Sequence, residues 1–148
     1  MDRQIQTVFC DDIRHELGGK LSYIGVYSGM LLVPTFPATL SKFCLAMNIL
    51  TPADRSFAKL TVRLLKDKDV LFEGTLSNAQ LSAAVVDLPA DDTMAKDRIL
   101  ALQSIIVFSP FVLEGPCTLR VRADTEAGEL RGLGLQVEQA PTDRVIQQ

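Results

Sequence analysis

The segment from Cys10 to Glu16 holds side chains whose types could bind a metal ion. They are Asp11, Asp12, His15 and Glu16, and His15 is the sole histidine of the chain. On a helical turn Asp11 and His15 would share a face, as would Asp12 and Glu16, whereas in an extended strand they scatter. Carboxylates beside an arginine and before two glycines are more typical of a solvated hairpin with local ion pairs. We therefore predict no metal site and no cofactor, and these four residues are only weak candidates.

The same segment could supply a nucleophile and its base, Cys10 and His15. Their spacing is not diagnostic, because such partners meet in space and not in sequence. Cys10 follows Phe9 in an apolar stretch, so an inert buried thiol is the favoured interpretation, and it extends to Cys44 and Cys117. The three cysteines are odd in number, widely separated and without a C-x-x-C pair. They predict reduced thiols in a cytoplasmic protein.

Two tyrosines are candidates for protein binding. In strand phase, Leu21, Tyr23, Gly25 and Tyr27 fall on one face. Core packing is the more usual role of such residues. The functional alternative is a tyrosine-bearing sheet face that docks a protein, because tyrosine is enriched at interface hot spots.

Two arginines, Arg120 and Arg122, lie on one outward face of a predicted strand and are the other binding candidates. A second basic strip is formed by Lys59, Arg63, Lys66 and Lys68. Acidic residues flank both strips, the net charge is -3, and the sequence pI is about 5.1. A solvated sheet face is therefore favoured over a nucleic-acid site.

The stretch from Leu100 to Val137 is the unit around which the chain is organised. An apolar strand at 105–108 is followed by a turn at 114–116 and by a cleanly alternating strand. That strand places Cys117, Leu119, Val121 and Ala123 on its buried face. A loop at Gly128 returns the chain into a partner strand, in which we expect Leu133, Leu135 and Val137 to share a face.

Upstream segments also show the alternation of strands. We predict strands at Gln4–Cys10, Lys20–Val33, Phe43–Thr51, Lys59–Lys66 and Val70–Thr75, with the second bent or divided near Gly29. The last two form a hairpin through residues 67–69. Residues 80–86 fit a helix or a strand, because their alanines and valines favour opposite structures. Residues 91–96 fit a polar loop with one capped helical turn.

Many short strands with little helix predict an all-β protein, specifically an immunoglobulin-like antiparallel β-sandwich of about 7 to 9 strands. The length of 148 residues favours one domain over 1–140, followed by a flexible tail at 141–148. The opening residues lack the apolar core of a secretory signal, and the longest apolar runs are too short to cross a membrane.

The opening Phe9-Cys10-Asp11-Asp12-Ile13-Arg14, with the stretch from Gly18 to Tyr27 after it, resembles an uncharacterised family of small single-domain proteins of bacteria and their phages or prophages. The resemblance extends through most of the chain. It implies a bacterial or phage source and transfers no activity or catalytic residue. Because phages carry small domains that block host proteins, it adds weight to a binding role.

Three functions remain open at the level of sequence. The first is a non-enzymatic protein-binding module, in its sharpest form phage-encoded and directed at a host bacterial protein, or self-associating through exposed sheet edges. The second is a metal- or cysteine-dependent enzyme that uses the Cys10–Glu16 segment. The third is a structural component of a virion or secretion assembly.

Overall fold

Two β-sheets pack face to face in the computed structural model, which describes residues 2–88 and 98–141, with side chains throughout except at 83–88. Strands are numbered in chain order. The first sheet has five strands, each antiparallel to its neighbours. From edge to edge they are β2 (Leu21–Val26), β1 (Gln4–His15), β5 (Phe43–Pro52), β9 (Ile99–Phe108) and β8 (Val85–Leu88).

The second sheet has six strands. Along its main path they are β3 (Met30–Val33), β13 (Leu135–Gln139), β11 (Cys117–Thr125), β6 (Leu60–Lys66) and β7 (Asp69–Leu76), while β12 (Gly128–Arg131) pairs with the far half of β11. The β3–β13 pair is parallel and the other pairs are antiparallel.

Smaller elements close the ends of the sandwich. Strands β4 (Ala38–Leu40) and β10 (Phe111–Leu113) form a two-stranded sheet. The described helices are α1 (Asn78–Ala84) and the 3-10 turns Leu17–Gly19 and Ala53–Arg55. No helix in the described ranges is long and apolar enough to cross a membrane.

The core lies between the two large sheets and is built from aliphatic and aromatic side chains. Leu45 and Met47 on β5 are fully buried, as are Leu64 and Leu119 on the opposite sheet. The burial of each of these side chains contributes about 1.5–3 kcal/mol to the free energy of unfolding. At one end the ring of Phe43 stacks with those of Phe9 and Phe111, at centroid distances of 5.9 and 4.7 Å.

Arg3, near the start of the chain, contacts the segment at 51–57 and the turn between β11 and β12. Its guanidinium forms an ion pair with Glu126 in the β11–β12 turn, and the central guanidinium carbon, Cζ, lies 4.6 Å from the ring centre of Phe57. It also donates hydrogen bonds to Thr51 Oγ1 (2.9 Å) and to the carbonyl oxygens of Arg55 (2.8 Å) and Ser56 (3.1 Å). Glu126 accepts a further bond from the backbone N–H of Ala58 at 2.7 Å. The two sheets are thereby tied together at this end.

The all-β prediction is confirmed, as are the principal strands. On β11 Cys117, Leu119, Val121 and Ala123 are buried, as their alternation predicts. The long segment at 20–33 divides at Gly29, with β2 and β3 in different sheets. Strands β6 and β7 form the predicted hairpin, and a register shift between Leu64 and Leu65 leaves Leu71 packed on the core.

Three expectations need correction. Strand β1 was expected to end at Cys10 but continues to His15, because residues 10–15 pair with 21–26 of β2 in a hairpin whose strands precede and follow the two glycines. Leu133 is 81% exposed, because the chain between β12 and β13 leaves the ladder at Gly132–Gly134. The described strands number thirteen, β1 to β13, because several pieces of three or four residues pair separately.

The undecided segment at 80–86 contains both alternatives, since α1 ends at Ala84 and β8 begins at Val85. The capped turn expected at 91–96 lies outside the described residues. So do residues 142–148 of the expected tail.

Candidate protein-interaction surface

The carboxylates of the Cys10–Glu16 segment point to separate partners. Asp11 accepts a hydrogen bond from the Tyr27 hydroxyl. Asp12 Oδ1 lies 3.1 Å from Lys42 Nζ, and that hydrogen bond is the main reason why the pKa of Asp12 is lowered. Among the described residues no group of three or more His, Cys, Asp or Glu side chains is placed to hold a metal ion.

The remaining two metal candidates lie at the end of β1. His15 is its last residue and is exposed. Glu16 Oε1 accepts a hydrogen bond from Ser22 Oγ at 3.3 Å and lies 3.7 Å from Arg14 Nε. Because β1 is extended, His15 is about 17 Å along the strand from Cys10. The structure therefore does not bring this histidine to that thiol.

Cys10 and Cys44 are direct register partners on β1 and β5, and both are fully buried. Burial, followed by the effect of Cys44, raises the pKa of Cys10 to about 11. Burial also raises the pKa values of Cys44 and Cys117. The thiolate is the nucleophilic form, so this environment opposes the activation of any of the three.

The two candidate tyrosines lie at the inner side of the first sheet's edge. Tyr27 is half-buried, its ring centre 5.9 Å from that of Phe43, and burial together with Asp11 raises its pKa. Tyr23 is the register partner of Ile13 and is half-buried. Between the tyrosines, Gly25 adopts a φ of 68° and has no room for a Cβ beside Asp11.

Arg120 and Arg122 lie on the solvent side of β11, where acidic side chains surround Arg122 and its neighbours. Arg63 Nη2 lies 2.6 Å from Asp124 Oδ2, and Arg122 Nε lies 3.8 Å from Glu129 Oε1. Arg120 Nη1 donates a long 3.5 Å hydrogen bond to the carbonyl oxygen of Asp67. This strip is a network of ion pairs and is not a uniformly positive surface.

A different surface, on the solvent side of the first sheet, is apolar. Register partners align its side chains in rows across the strands. One row is Val26, Cys10, Cys44 and Val107, and the next is Val8, Ala46 and Ile105. With Ile24 beside the first row, these residues define what we call the outer face. Their chain neighbours Phe9, Phe43, Leu45 and Ile106 alternate with them and belong to the core.

The outer face combines exposed aliphatic flanks with a buried centre. Ile24, Val26 and Val107 are 44%, 54% and 51% exposed, whereas Cys10 and Cys44 between them are fully buried. Three aliphatic side chains thus remain in water on one face of the sheet. Exposed apolar patches bounded by polar residues are typical of protein interfaces.

Polar side chains bound the outer face at both ends. At one end a row of amides is formed by Gln6, Asn48 and Gln103. At the other end lie the ion-paired Asp12 and Lys42, beside an open cleft of about 560 Å³ that both residues help to line. Alternation in the sequence could not locate this surface, because β5 is apolar on both faces and the rows exist only once the register is known.

Taken together, the fold and this surface define a two-sheet β-sandwich that carries exposed apolar side chains on one face of its first sheet. Residues 6–138 match the family of unknown function DUF6941, so the chain belongs to that family. This confirms the resemblance seen in the opening segment. No curated protein and no solved structure matches the chain.

Proposed function

We propose that this chain is a non-enzymatic protein-binding module that associates through the outer face. The observation that carries the proposal is the exposure of Ile24, Val26 and Val107 on the same solvent-facing side of the first sheet. Covering one such side chain contributes on the order of 1 kcal/mol, because each retains about half of its area to bury. The proposed surface is the opposite face of β2 from the one that carries Tyr23.

The proposal extends to the cellular compartment and to the kind of partner. Three buried, unpaired cysteines support a cytoplasmic location, because reduced thiols are typical of that compartment. Interference with a host bacterial protein is the sharper form that the family resemblance suggests, and it stays a prediction.

The proposal is tested by placing charge on the outer face. The double variant Val26→Asp, Val107→Asp should lose association, because two carboxylates would have to be desolvated in the interface. Val70→Asp with Val112→Asp is the matched control, since those valines are 53% and 50% exposed on other sheets. The tagged proteins would be compared by capture from a bacterial lysate and by size in solution. If both double variants retain the wild-type associations, the outer face is not the binding surface.

A further inference from the structure

We propose that the occupant of the outer face is a second copy of this chain, packed face to face about a two-fold axis. This inference rests on the proposed function, because it assigns a partner to the same surface. The axis runs parallel to the strands, between the outer faces of the two copies, and passes over the line midway between β1 and β5. A face can pack against its own copy only when the rotation brings apolar groups together or sets opposite charges against each other.

The rows of the outer face meet that condition. Val26 and Val107 lie at the two ends of one row, at equal distances from the line between β1 and β5. Rotation about the axis therefore sets Val26 of one copy opposite Val107 of the other. In the same way it sets Cys10 opposite Cys44, and Val8 opposite Ala46. The exposed side chains that meet, Val26 and Val107, are apolar, and the row between them adds no polar group, because Cys10, Cys44 and Ala46 are already buried within one copy.

The charges at the end of the face are complementary under the same rotation. Asp12 extends the β1 row and Lys42 extends the β5 row, and their charged atoms lie 3.1 Å apart within one copy. Across the axis Asp12 of one copy faces Lys42 of the other. The four charges alternate in sign, so no like charges meet.

The size of the outer face sets the strength of the association. Residues 4–12 of β1 span about 27 Å, and β1, β5 and β9 side by side cover about 14 Å. Strand β2 lies beside β1 only from residue 10 onward and adds about 40 Å², which gives a footprint of about 420 Å² per copy. The interface would bury about 840 Å² in total, below the roughly 1,600 Å² of a standard stable complex. We therefore expect a reversible dimer with a dissociation constant on the order of micromolar.

Cross-linking between two single variants tests the orientation. Val26→Cys and Val107→Cys would be treated with a short bismaleimide, separately and as an equimolar mixture. In the proposed dimer residues 26 and 107 of different copies face each other, whereas two copies of residue 26 lie on opposite sides of the axis. Efficient cross-linking in the mixture alone is expected. Equal cross-linking in all three samples, or none, overturns the arrangement.

A charge exchange tests the contact between Asp12 and Lys42. Asp12→Lys should weaken the dimer about tenfold or more, because like charges then meet within and between copies. The double variant Asp12→Lys, Lys42→Asp restores both sets of pairs and should restore the dimer. Sedimentation over a wide range of concentrations measures the association, and thermal unfolding shows that each variant is folded. A dimer unaffected by the single change contradicts the proposed axis.

The outcomes separate this inference from the proposed function. A protein that stays monomeric at every concentration, yet loses a lysate partner in the Val26→Asp, Val107→Asp variant, overturns the dimer and leaves the binding surface standing. A protein that associates with nothing overturns both. A dimer that survives the two aspartates is formed elsewhere on the molecule and overturns this inference, whereas the proposed function is then decided by whether the same variant loses its lysate partner.

Discussion

Replacing Arg3 by alanine should lower the free energy of unfolding by about 3 kcal/mol. The change removes three hydrogen bonds from one charged group, those to Thr51, Arg55 and Ser56, and the ion pair with Glu126. Each hydrogen bond contributes about 1 kcal/mol after allowance for solvent at this partly exposed site. We assign nothing further to the ion pair, because the Glu126 side chain is 34% exposed and regains water.

Chemical denaturation followed by circular dichroism measures this loss, which corresponds to a fall in Tm of about 6–12 °C for a chain of this size. Arg3→Lys should lose about half as much, because lysine keeps the charge without the planar fork of donors. Arg14→Ala is the matched control, since its side chain is 66% exposed and 3.7 Å from Glu16. We expect it to change stability by less than about 0.5 kcal/mol. Equal midpoints for Arg3→Ala and Arg14→Ala would refute the reasoning.

Three further outcomes are expected. Burial raises the pKa of Glu126, but the hydrogen bonds from Arg3 and Ala58 lower it more, so the pKa is lower in the folded chain than in the unfolded chain. Below about pH 4.5 the unfolded chain therefore binds a proton that the folded carboxylate does not, and the free energy of unfolding should fall as the pH falls. Glu126→Gln should reduce this dependence of the free energy of unfolding on pH. Gly134→Ala should lower the free energy of unfolding by more than about 1 kcal/mol, because the added Cβ would collide with the carbonyl oxygen of Leu119. Gly115→Ala is the control and should unfold like the wild type in chemical denaturation, because no atom lies near its added Cβ. Cys10 should react with a thiol reagent at neutral pH only after denaturant is added, and rapid labelling of the native protein would contradict its burial and raised pKa.

The alternation of apolar and polar residues was sufficient to locate the principal strands in the sequence, but not to locate the outer face. The alternation on β11 identifies Cys117, Leu119 and Val121 as buried because side chains of a strand alternate strictly between two faces. The same rule cannot say which strand lies beside which. Val26, Cys10, Cys44 and Val107 are far apart in sequence and form a row only through the register of three strand pairs.

The roles of several polar residues could not be predicted from the sequence. Asp11 and Asp12 suggested the end of a strand, yet each has a specific partner, Tyr27 and Lys42, that lets the extended ladder continue. The role of Arg3 could not be predicted from the sequence, because its partners come from residues 51–57 and 126. Contacts of this range follow from tertiary structure alone.

The parallel pairing of β3 with β13 has a consequence for the order of folding. It joins Met30 to Gln136 and Val33 to Gln139, across more than two thirds of the chain. Closing so long a loop is entropically costly and slows the formation of the native topology. During synthesis β3 must wait for its neighbour until almost all of the domain has been translated. Chaperones that recognise unpaired strands should therefore engage nascent chains in which only residues up to 131 have left the ribosome, and release those in which residues up to 139 have left it. Ribosome-bound chains carrying a linker that fills the exit tunnel behind residue 131 or residue 139 would reveal the difference.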